Sequence, residues 1–381
     1  MIYLDHAATS FPKAPGVVEA ISSFLTHRAG NPGRSGHSLA LAAQAMVTEV
    51  RGLVASFFSA EEPSRVVFCQ NATDAINLAL WGLCRVSDRV VVSGLEHNAV
   101  ARPLAAMTER LGVSVAHARS GADGVLDLDE LEGLLAAAPT RLVAMVHASN
   151  VCGTILPVAE TAALAHRYGA LFLLDAAQTA GVLPIDVRAL GVDLLAFPGH
   201  KGLLGPTGIG GLYVRPGVRL RPLRQGGTGT RSEETQQPEA LPEALEAGTL
   251  NTVGLAGLGA SIRYVSERGL EAIRAHEQLL TAQLLEGLGS IPGVRLIGPA
   301  DATKQVAVVS ITLEGWEPVD VGAALDSSFG IAVRPGLHCA PMAHRTLGTY
   351  PGGTIRFSPG PLTSSEEVAS AVAAVQRLAG A

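Results

Sequence analysis

Lysine is rare in this chain, and one lysine stands in a segment where a surface charge is unexpected. Only three of the 28 basic residues are lysines, namely Lys13, Lys201 and Lys304. Lys13 and Lys304 lie among polar or turn-forming residues, whereas Lys201 lies in the apolar, glycine-rich stretch LLAFPGHKGLLGPTGIGGLYV. A lysine in a dry pocket has a lowered pKa and can form a Schiff base with an aldehyde. We therefore expect Lys201 to be a reactive amine.

Two upstream segments carry groups that complement such an amine. Asp175 closes the apolar run LFLLD, with Gln178 three residues later; a cationic ring nitrogen would partner this carboxylate, although an N-cap role is the alternative. Thr73, in QNATDAINLAL, begins a helix pattern whose N-terminus can bind an anion, although a capping role would explain Thr73 alone. A phosphate anchor, a buried Asp and a Schiff-base Lys are what pyridoxal 5'-phosphate requires.

The elements that must position these groups alternate between short apolar runs and helical patterns, which predicts βαβ units and an α/β fold with a mainly parallel, seven-stranded sheet. Polar residues lie at the ends of five of the seven predicted strands, where ligands bind in such sheets: Gln70 to Thr73, Glu96 to Asn98, Ser149 and Asn150, Asp175 with Gln178, and His200 with Lys201. The predicted strands are Arg65–Cys69, Arg89–Ser93, Val113–His117, Arg141–His147, Leu171–Asp175, Leu194–Phe197 and Gly210–Val214. The predicted helices between them include Thr73–Leu83, Val100–Leu111, Leu128–Ala138 and Val158–Tyr168.

The last third of the sequence has a different pattern. Residues 215–251 are rich in Gly, Glu and Pro and predict a long functional or mobile loop. A helical run over 255–290 and a mixture of short strands and helices then predict a smaller α+β C-terminal domain. We expect a large domain over 16–258, a small domain over 259–381, and an N-terminal segment, 1–15, packing near the small domain.

Composition excludes several classes of protein. The 381 residues are 48% hydrophobic and carry a net charge of -6, which excludes a disordered chain and argues against a nucleic-acid partner. The four cysteines form no CxxC pair, which excludes a disulfide scaffold and a Cys-based zinc site, so we expect no metal. We see no secretory signal or membrane-spanning stretch, and expect a cytoplasmic protein.

Eight short motifs occur in order along nearly the whole chain: YLDHAAT at 3–9, NATDAINL at 71–78, LEHNA at 95–99, SNVCGT at 149–154, LLDAAQT at 173–179, GHKGLLGPTGIGGLY at 199–213, EAGTLNT at 246–252 and VRPGLHCAP at 333–341. Together they resemble the cysteine desulfurases of the class V aminotransferase fold. The segment RPGLHCAP looks like the second desulfurase group, which includes selenocysteine lyase-like members.

The resemblance implies the pyridoxal-phosphate-dependent transferase fold type I and a role for each matching residue. Lys201 would hold the cofactor as a Schiff base and move the substrate α-proton, Asp175 would pair with the ring nitrogen, and Gln178 would bond the ring hydroxyl. Asn150 and Arg356 would bind the substrate carboxylate. The remaining implied cofactor contacts are His97 on the ring face, which would also be catalytic, Thr73 and His200 at the phosphate, and Thr249 at the phosphate of the other subunit of a homodimer. Ala72, and Asn150 in addition to its substrate role, complete the implied cofactor contacts.

Cys339 is the expected sulfur acceptor. The resemblance implies this role, and the chemistry needs a deprotonated, partly exposed thiol to attack the substrate sulfur. Cys339 follows His338 in a Gly- and Pro-flanked loop, which suggests mobile delivery. Cys69 and Cys84 lie in apolar contexts typical of core packing, and Cys152 is ambiguous because it neighbours Asn150.

Two departures from the family pattern are present. Pro198 stands where the family usually offers a Ser or Thr hydroxyl to the phosphate, and LEHNA has one histidine where many relatives have two.

The expected reaction converts L-cysteine to L-alanine and leaves a persulfide on Cys339. An acceptor protein is a possible partner for that sulfur. The sulfur would supply the biosynthesis of iron–sulfur clusters or thio-cofactors. Selenocysteine lyase or cysteine sulfinate desulfinase activity, another class V reaction such as transamination or epimerisation, and a non-enzymatic sulfur carrier or scaffold are the alternatives.

Overall fold

A computed structural model describes residues 1–33, 36–229 and 233–380. In chain order, the elements up to residue 214 are β1 (Ile2–Tyr3), α1 (Val17–His27), α2 (Ser38–Phe57), β2 (Val66–Cys69), α3 (Ala72–Leu83), β3 (Arg89–Ser93), α4 (Asn98–Leu111), β4 (Ser114–Ala118), α5 (Leu128–Ala137), β5 (Leu142–Val146), α6 (Val158–Arg167), β6 (Leu171–Asp175), β7 (Leu194–Pro198) and β8 (Gly210–Val214). The elements after it are α7 (Thr252–Arg268), α8 (Leu270–Gly289), β9 (Val294–Ile297), β10 (Val309–Leu313), α9 (Pro318–Phe329), β11 (Ile331–Ala332), β12 (Arg334–Gly336), α10 (Pro341–Thr346), β13 (Thr354–Phe357) and α11 (Ser365–Ala379).

The seven predicted strands form one sheet in the order β2-β8-β7-β6-β5-β3-β4. Only β8 runs antiparallel to its neighbours, β2 and β7, and the remaining pairs are parallel. Both faces of this sheet are covered, because alternate residues enter two different hydrophobic clusters: Phe172 and Leu174 of β6 lie in one, and Leu173 in the other. Continuous apolar strands are typical of such a doubly covered sheet, and the predicted α/β fold is confirmed.

A second, antiparallel sheet has the order β12-β13-β10-β9. It shares a third hydrophobic cluster with α8, α9 and α11. The N-terminus reaches this part of the molecule, because β1 pairs in parallel with β11, Ile2 lying opposite Ile331.

Two predicted segments differ in detail from the structure. The helical run over 255–290 is divided into α7 and α8 at Gly269, whose φ of 82° lies in the region that favours glycine and interrupts the helix. In the predicted loop over 215–251, residues 230–232 lie outside the described residues, and the described remainder consists of turns and irregular chain.

Candidate active site

The carboxyl ends of the sheet strands surround a cavity of roughly 290 Å³. Eight of the nine predicted cofactor contacts line it: Ala72, Thr73, His97, Asn150, Asp175, Gln178, His200 and Lys201. The ninth, Thr249, is exposed and lies elsewhere, beside Gly227 and Gly248. The cavity therefore brings together residues from five segments of the chain, each at or just beyond the end of a predicted strand.

The N-terminus of α3 opens into this cavity. Asn71, not Thr73, caps the helix, its Oδ1 accepting from the N–H of Asp74 at 2.9 Å. This leaves the exposed Thr73 hydroxyl free of a capping role. Within the described part of the chain, the N–H groups of Ala72 and Thr73 have no hydrogen-bond acceptor. These free donors at a positive helix end favour an anion such as a phosphate.

Asp175 is a buried carboxylate at the end of β6. Its Oδ1 accepts a hydrogen bond from the N–H of Ala177 at 2.9 Å, but no described helix begins there, so one oxygen stabilises a turn and does not cap a helix. Loss of contact with water raises the pKa of Asp175, opposed by this hydrogen bond and by the positive charge of Lys201. A cationic partner in the cavity would stabilise the charged form. Gln178 lies beside it, its Nε2 donating to the carbonyl of Ala7 at 3.2 Å.

Burial lowers the pKa of Lys201 to about 8, against the opposing effect of Asp175. Arg356 and Arg334 lower it further. A substantial fraction of the amine is therefore neutral and nucleophilic at pH 7 to 8. This supports the expected Schiff-base chemistry.

The residues before Lys201 are held by the N-terminal segment. His200 Nδ1 lies 3.0 Å from Thr9 Oγ1, and the ammonium of Lys13 donates to the carbonyl of His200 at 3.2 Å. Only Nε2 of the imidazole remains for a phosphate. Burial and the nearby charge of Lys201 lower the pKa of His200 to about 4, so the ring is neutral. Lys13, set aside in the sequence as a turn residue, thus helps to position the reactive loop.

His97 is fixed at the N-terminus of α4. Its Nδ1 accepts from the N–H of Ala99 at 3.0 Å, so the proton of the neutral ring is on Nε2. Burial and the charges of Lys201 and Arg334 lower the pKa of His97 to about 4. A neutral ring of fixed orientation is suited to stacking on an aromatic cofactor.

Arg356 lies outside the cavity lining but directly behind Asn150. Its Nη1 donates to the carbonyl oxygen of Asn150 at 3.0 Å, and its Nη2 donates to Asp5 Oδ1 at 2.7 Å. Arg356 Nε and Asn150 Oδ1 are buried without a partner among the described residues. Unpaired buried donors are costly, and a substrate carboxylate would satisfy the guanidinium.

Cys339 is the one exposed cysteine among the described residues. It lies in a turn in which both His338 and Cys339 have positive φ, 48° and 57°. The N–H of Asn98 donates to the carbonyl of Cys339 at 2.8 Å, and His338 Nε2 lies 2.8 Å from Thr354 Oγ1. Hydrogen bonds to α4 and β13 therefore tie this turn to its neighbours, and mobile delivery by the loop stays a prediction.

The other three cysteines are buried. Cys69 and Cys84 pack in the hydrophobic cluster on one face of the large sheet, as expected. Cys152 packs on the other face, its Sγ 3.1 Å from Thr154 Oγ1. Burial raises the pKa of all three thiols, which makes them poor nucleophiles.

Sequence reasoning left Asp5, Arg334 and Glu96 without a role. Arg334 lies opposite Arg356 in the β12–β13 ladder and adds positive potential to the site. Burial raises the pKa of Glu96 to about 8, while its Oε1 accepts from Ser93 Oγ and from the N–H of Val146. All three lie inside motifs that resemble the family, and this position was the signal in the sequence that they could belong to the site. Their distances from the cavity could not be predicted without the fold.

Pro198 is buried at the end of β7, opposite Gly210, and lines the cavity. It offers neither a hydroxyl nor a backbone N–H to a phosphate there.

The fold and the cavity define a class V aminotransferase, whose family model, Aminotransferase class-V, matches residues 2–370. Within that class the chain belongs to the cysteine desulfurase family. It is 39% identical to a probable cysteine desulfurase of Methanothermobacter thermautotrophicus, over 100% of this chain and 95% of the relative. It is also 39% identical to a probable cysteine desulfurase of Mycolicibacterium paratuberculosis, over 100% of this chain and 55% of the relative. A solved apo structure of cysteine desulfurase from Thermococcus onnurineus NA1 superposes with a TM-score of 0.93 and 35% identity, over 100% of this chain and 94% of the other.

Enzymes of this family depend on pyridoxal 5'-phosphate, and the residues of the cavity fit it. The free N–H groups of α3 suit its phosphate, the buried Asp175 suits its ring nitrogen, and the lowered pKa of Lys201 suits its aldehyde.

Across residues 1–33, 36–229 and 233–380, no helix is both long and apolar enough to span a membrane. Within the same ranges, no group of three or more His, Cys, Asp or Glu is placed to bind a metal ion.

Proposed function

We propose that the protein converts L-cysteine to L-alanine and retains the sulfur as a persulfide on Cys339. The observation that carries this proposal is the position of Asn150 between the cavity and the turn that carries Cys339. Asn150 lines the cavity that holds Lys201 and Asp175, and its side chain also donates to the carbonyl of His338, directly before the exposed Cys339. This contact supports a site that combines an amine able to move protons with a thiol able to accept sulfur.

Substrate binding would begin at the carboxylate. Arg356 has an unpaired Nε, and Asn150 has a second amide N–H beyond the one that donates to His338. Both can donate to the α-carboxylate of cysteine, which places the amino group toward Lys201 and the sulfur toward Cys339. Charge-assisted hydrogen bonds of this kind hold a ligand in a defined orientation.

Lys201 would have two roles. Its amine would hold the cofactor through the aldehyde, and as a free amine it would take the α-proton of cysteine, which its lowered pKa permits near neutral pH. Pyridoxal phosphate, when bound, would supply an electron sink for the pair left at the α-carbon. Asp175 would pair with the ring nitrogen, and the neutral His97 would pack against the ring face.

Cys339 would then receive the sulfur. Its thiolate attacks the sulfur of the substrate, the new S–S bond forms, and the C–S bond breaks with its electron pair passing to the β-carbon. The β-carbon then takes up a proton, which balances the one that the Cys339 thiol lost on becoming a thiolate, and Lys201 returns its proton to the α-carbon, which gives alanine. The overall change is L-cysteine plus Cys339 thiol to L-alanine plus Cys339 persulfide, and it needs no external oxidant.

We also propose where the protein acts, its oligomeric state and the fate of the sulfur. The protein acts in the cytoplasm as a homodimer in which Thr249 reaches the phosphate of the other subunit. An acceptor protein takes the persulfide sulfur toward iron–sulfur clusters or thio-cofactors. The exposure of Thr249, outside its own cavity, supports a role at another subunit.

We also keep the division into domains 16–258 and 259–381, with 1–15 near the second, as a proposal. The pairing of β1 with β11 supports the placement of the N-terminal segment. The boundary falls inside α7, whose residue Ile262 still packs in the core of the large sheet.

The deciding experiment measures alanine release from cysteine, selenocysteine and cysteine sulfinate side by side, together with persulfide on the protein. We expect alanine from cysteine with one equivalent of persulfide per chain. Turnover of selenocysteine or the sulfinate alone, with no persulfide, would assign the protein to a lyase or desulfinase activity instead.

A further inference from the structure

Arg356 already has a carboxylate partner within the chain. Its guanidinium donates from Nη2 to Asp5 Oδ1 at 2.7 Å, an ion pair between residues 351 positions apart. The side chain of Arg356 is 2% exposed, whereas that of Asp5 is 20% exposed. The cation is therefore enclosed, and its anionic partner has some access to solvent.

The Asp5 side chain is the movable member of this pair. The backbone on either side of it is fixed, because Asp5 forms a β-bridge to Ser358 and the N–H of His6 donates to the carbonyl of Ser358 at 3.0 Å. Arg356 is held by its second bond, from Nη1 to the carbonyl of Asn150. Rotation of one short side chain would release Nη2 without any shift of the main chain.

The charges around the pair indicate that Asp5 and an incoming carboxylate compete for the guanidinium of Arg356. Lys201, Arg334 and Arg356 are close enough to influence one another's protonation, and Asp5 and Asp175 are the carboxylates that offset them at Lys201. A substrate carboxylate on Arg356 brings a further negative charge to a guanidinium that Asp5 already contacts. Like charges in such an enclosed site repel strongly.

We propose that Asp5 is a positioning residue that occupies Arg356 in the free protein and competes with the α-carboxylate of the amino acid. Asp5 yields Nη2 when cysteine binds, so that the carboxylate accepts from Nη2 as well as from the otherwise unpaired Nε. Asp5 takes Nη2 again when alanine leaves, and so keeps the carboxylate site from retaining the product. The inference rests on the proposed function, because it takes Arg356 as the residue that binds the carboxylate.

The test is Asp5→Asn in the cofactor-loaded protein. The amide keeps an oxygen that can accept from Arg356 Nη2 but removes the competing charge. We expect L-alanine to bind roughly tenfold more tightly by calorimetry, with a lower KM for cysteine and a lower kcat because product release slows. Asp5→Ser, a second variant that also removes the charge, should shift alanine binding in the same direction.

Two further variants separate the possible failures. Asp129→Asn removes the same charge from an exposed position on α5 and should leave alanine binding unchanged. Arg356→Gln should weaken alanine binding, and if it does not, Arg356 is not the carboxylate site and the proposed binding mode fails with the inference. If Arg356→Gln weakens binding but Asp5→Asn leaves it unchanged or weaker, Asp5 only supports Arg356 and the competition is refuted.

Discussion

The side-chain amide of Asn150 donates a hydrogen bond to the carbonyl oxygen of His338 at 2.7 Å. This bond joins the loop after β5, which lines the cofactor cavity, to the turn that carries Cys339. A residue expected to bind substrate and cofactor therefore also contacts the turn of the proposed nucleophile. One hydrogen bond links the proposed carboxylate site to the proposed sulfur acceptor.

The first prediction concerns the reactive amine. Lys201→Ala should abolish covalent attachment of pyridoxal phosphate and turnover, because Lys201 is the one lysine that lines the described cavity. Absorbance of the purified protein and an alanine assay measure both losses. Lys304→Ala, at an exposed lysine paired with Asp301, is the matched control and should resemble wild type. Alanine formation by Lys201→Ala near the wild-type rate would refute the whole assignment.

The second prediction is a pH dependence of cofactor uptake. The amine of Lys201 is protonated and unreactive below its pKa of about 8 and becomes nucleophilic above it. Uptake of pyridoxal phosphate by the apo protein should therefore accelerate as pH rises, with a midpoint near 8 rather than at the value of an exposed lysine, about 10.4. Stopped-flow absorbance follows this rate. A midpoint near 10 would show that the amine is not desolvated.

The third prediction concerns the thiol. Cys339→Ser should keep the cofactor but lose persulfide formation from cysteine, because a hydroxyl oxygen is a poor attacker of sulfur. It can retain activity on selenocysteine, whose carbon–selenium bond breaks more easily. Cys84→Ala, which removes a buried thiol, should still form the persulfide. Mass spectrometry of the intact chain after reaction with cysteine detects the added sulfur, and its presence on Cys339→Ser would disprove the nucleophile assignment.

The fourth prediction tests the turn that carries Cys339. Thr354→Val removes the hydroxyl beside His338 Nε2 and leaves that nitrogen buried without a partner, at a cost of about 1–3 kcal/mol. We expect a lower kcat for cysteine with normal cofactor content, because the turn holds Cys339 less firmly. Thr281→Val, another buried threonine in α8, controls for loss of general stability. Unchanged kcat in Thr354→Val would show that this bond does not position the thiol.

The fifth prediction concerns the departure at the end of β7. Pro198→Ser should bind pyridoxal phosphate more tightly, by about ten- to a hundredfold, if the new hydroxyl donates a charge-assisted bond worth roughly 1.5–3 kcal/mol. Loss of cofactor during dialysis, compared between wild type and variant, measures the effect. Equal or faster loss from Pro198→Ser would mean that other donors already saturate the phosphate, or that the proline shapes the loop carrying Lys201.

The sheet and most of its cavity could be predicted because their signals are local. Apolar runs such as LFLLD mark buried strands, and polar residues just beyond them mark the strand ends, so Asp175 and Lys201 could be placed from short windows of sequence. The contact of Asp5 with Arg356 has no local signal, because it depends on how the residues after β1 lie against β13 and Ser358. The positive φ of Cys339 could not be predicted either, because such angles are expected at glycine and this residue is a cysteine.

The parallel pairing of β1 with β11 has a consequence for chain synthesis. The strands of the large sheet are complete once residue 214 has left the ribosome, whereas Ile2 must wait for Ile331, and Asp5 for Arg356. Contacts of such high sequence separation form late. A nascent chain can therefore bring Lys201, Asp175 and the N-terminus of α3 together before Arg356 and Cys339 have been synthesised.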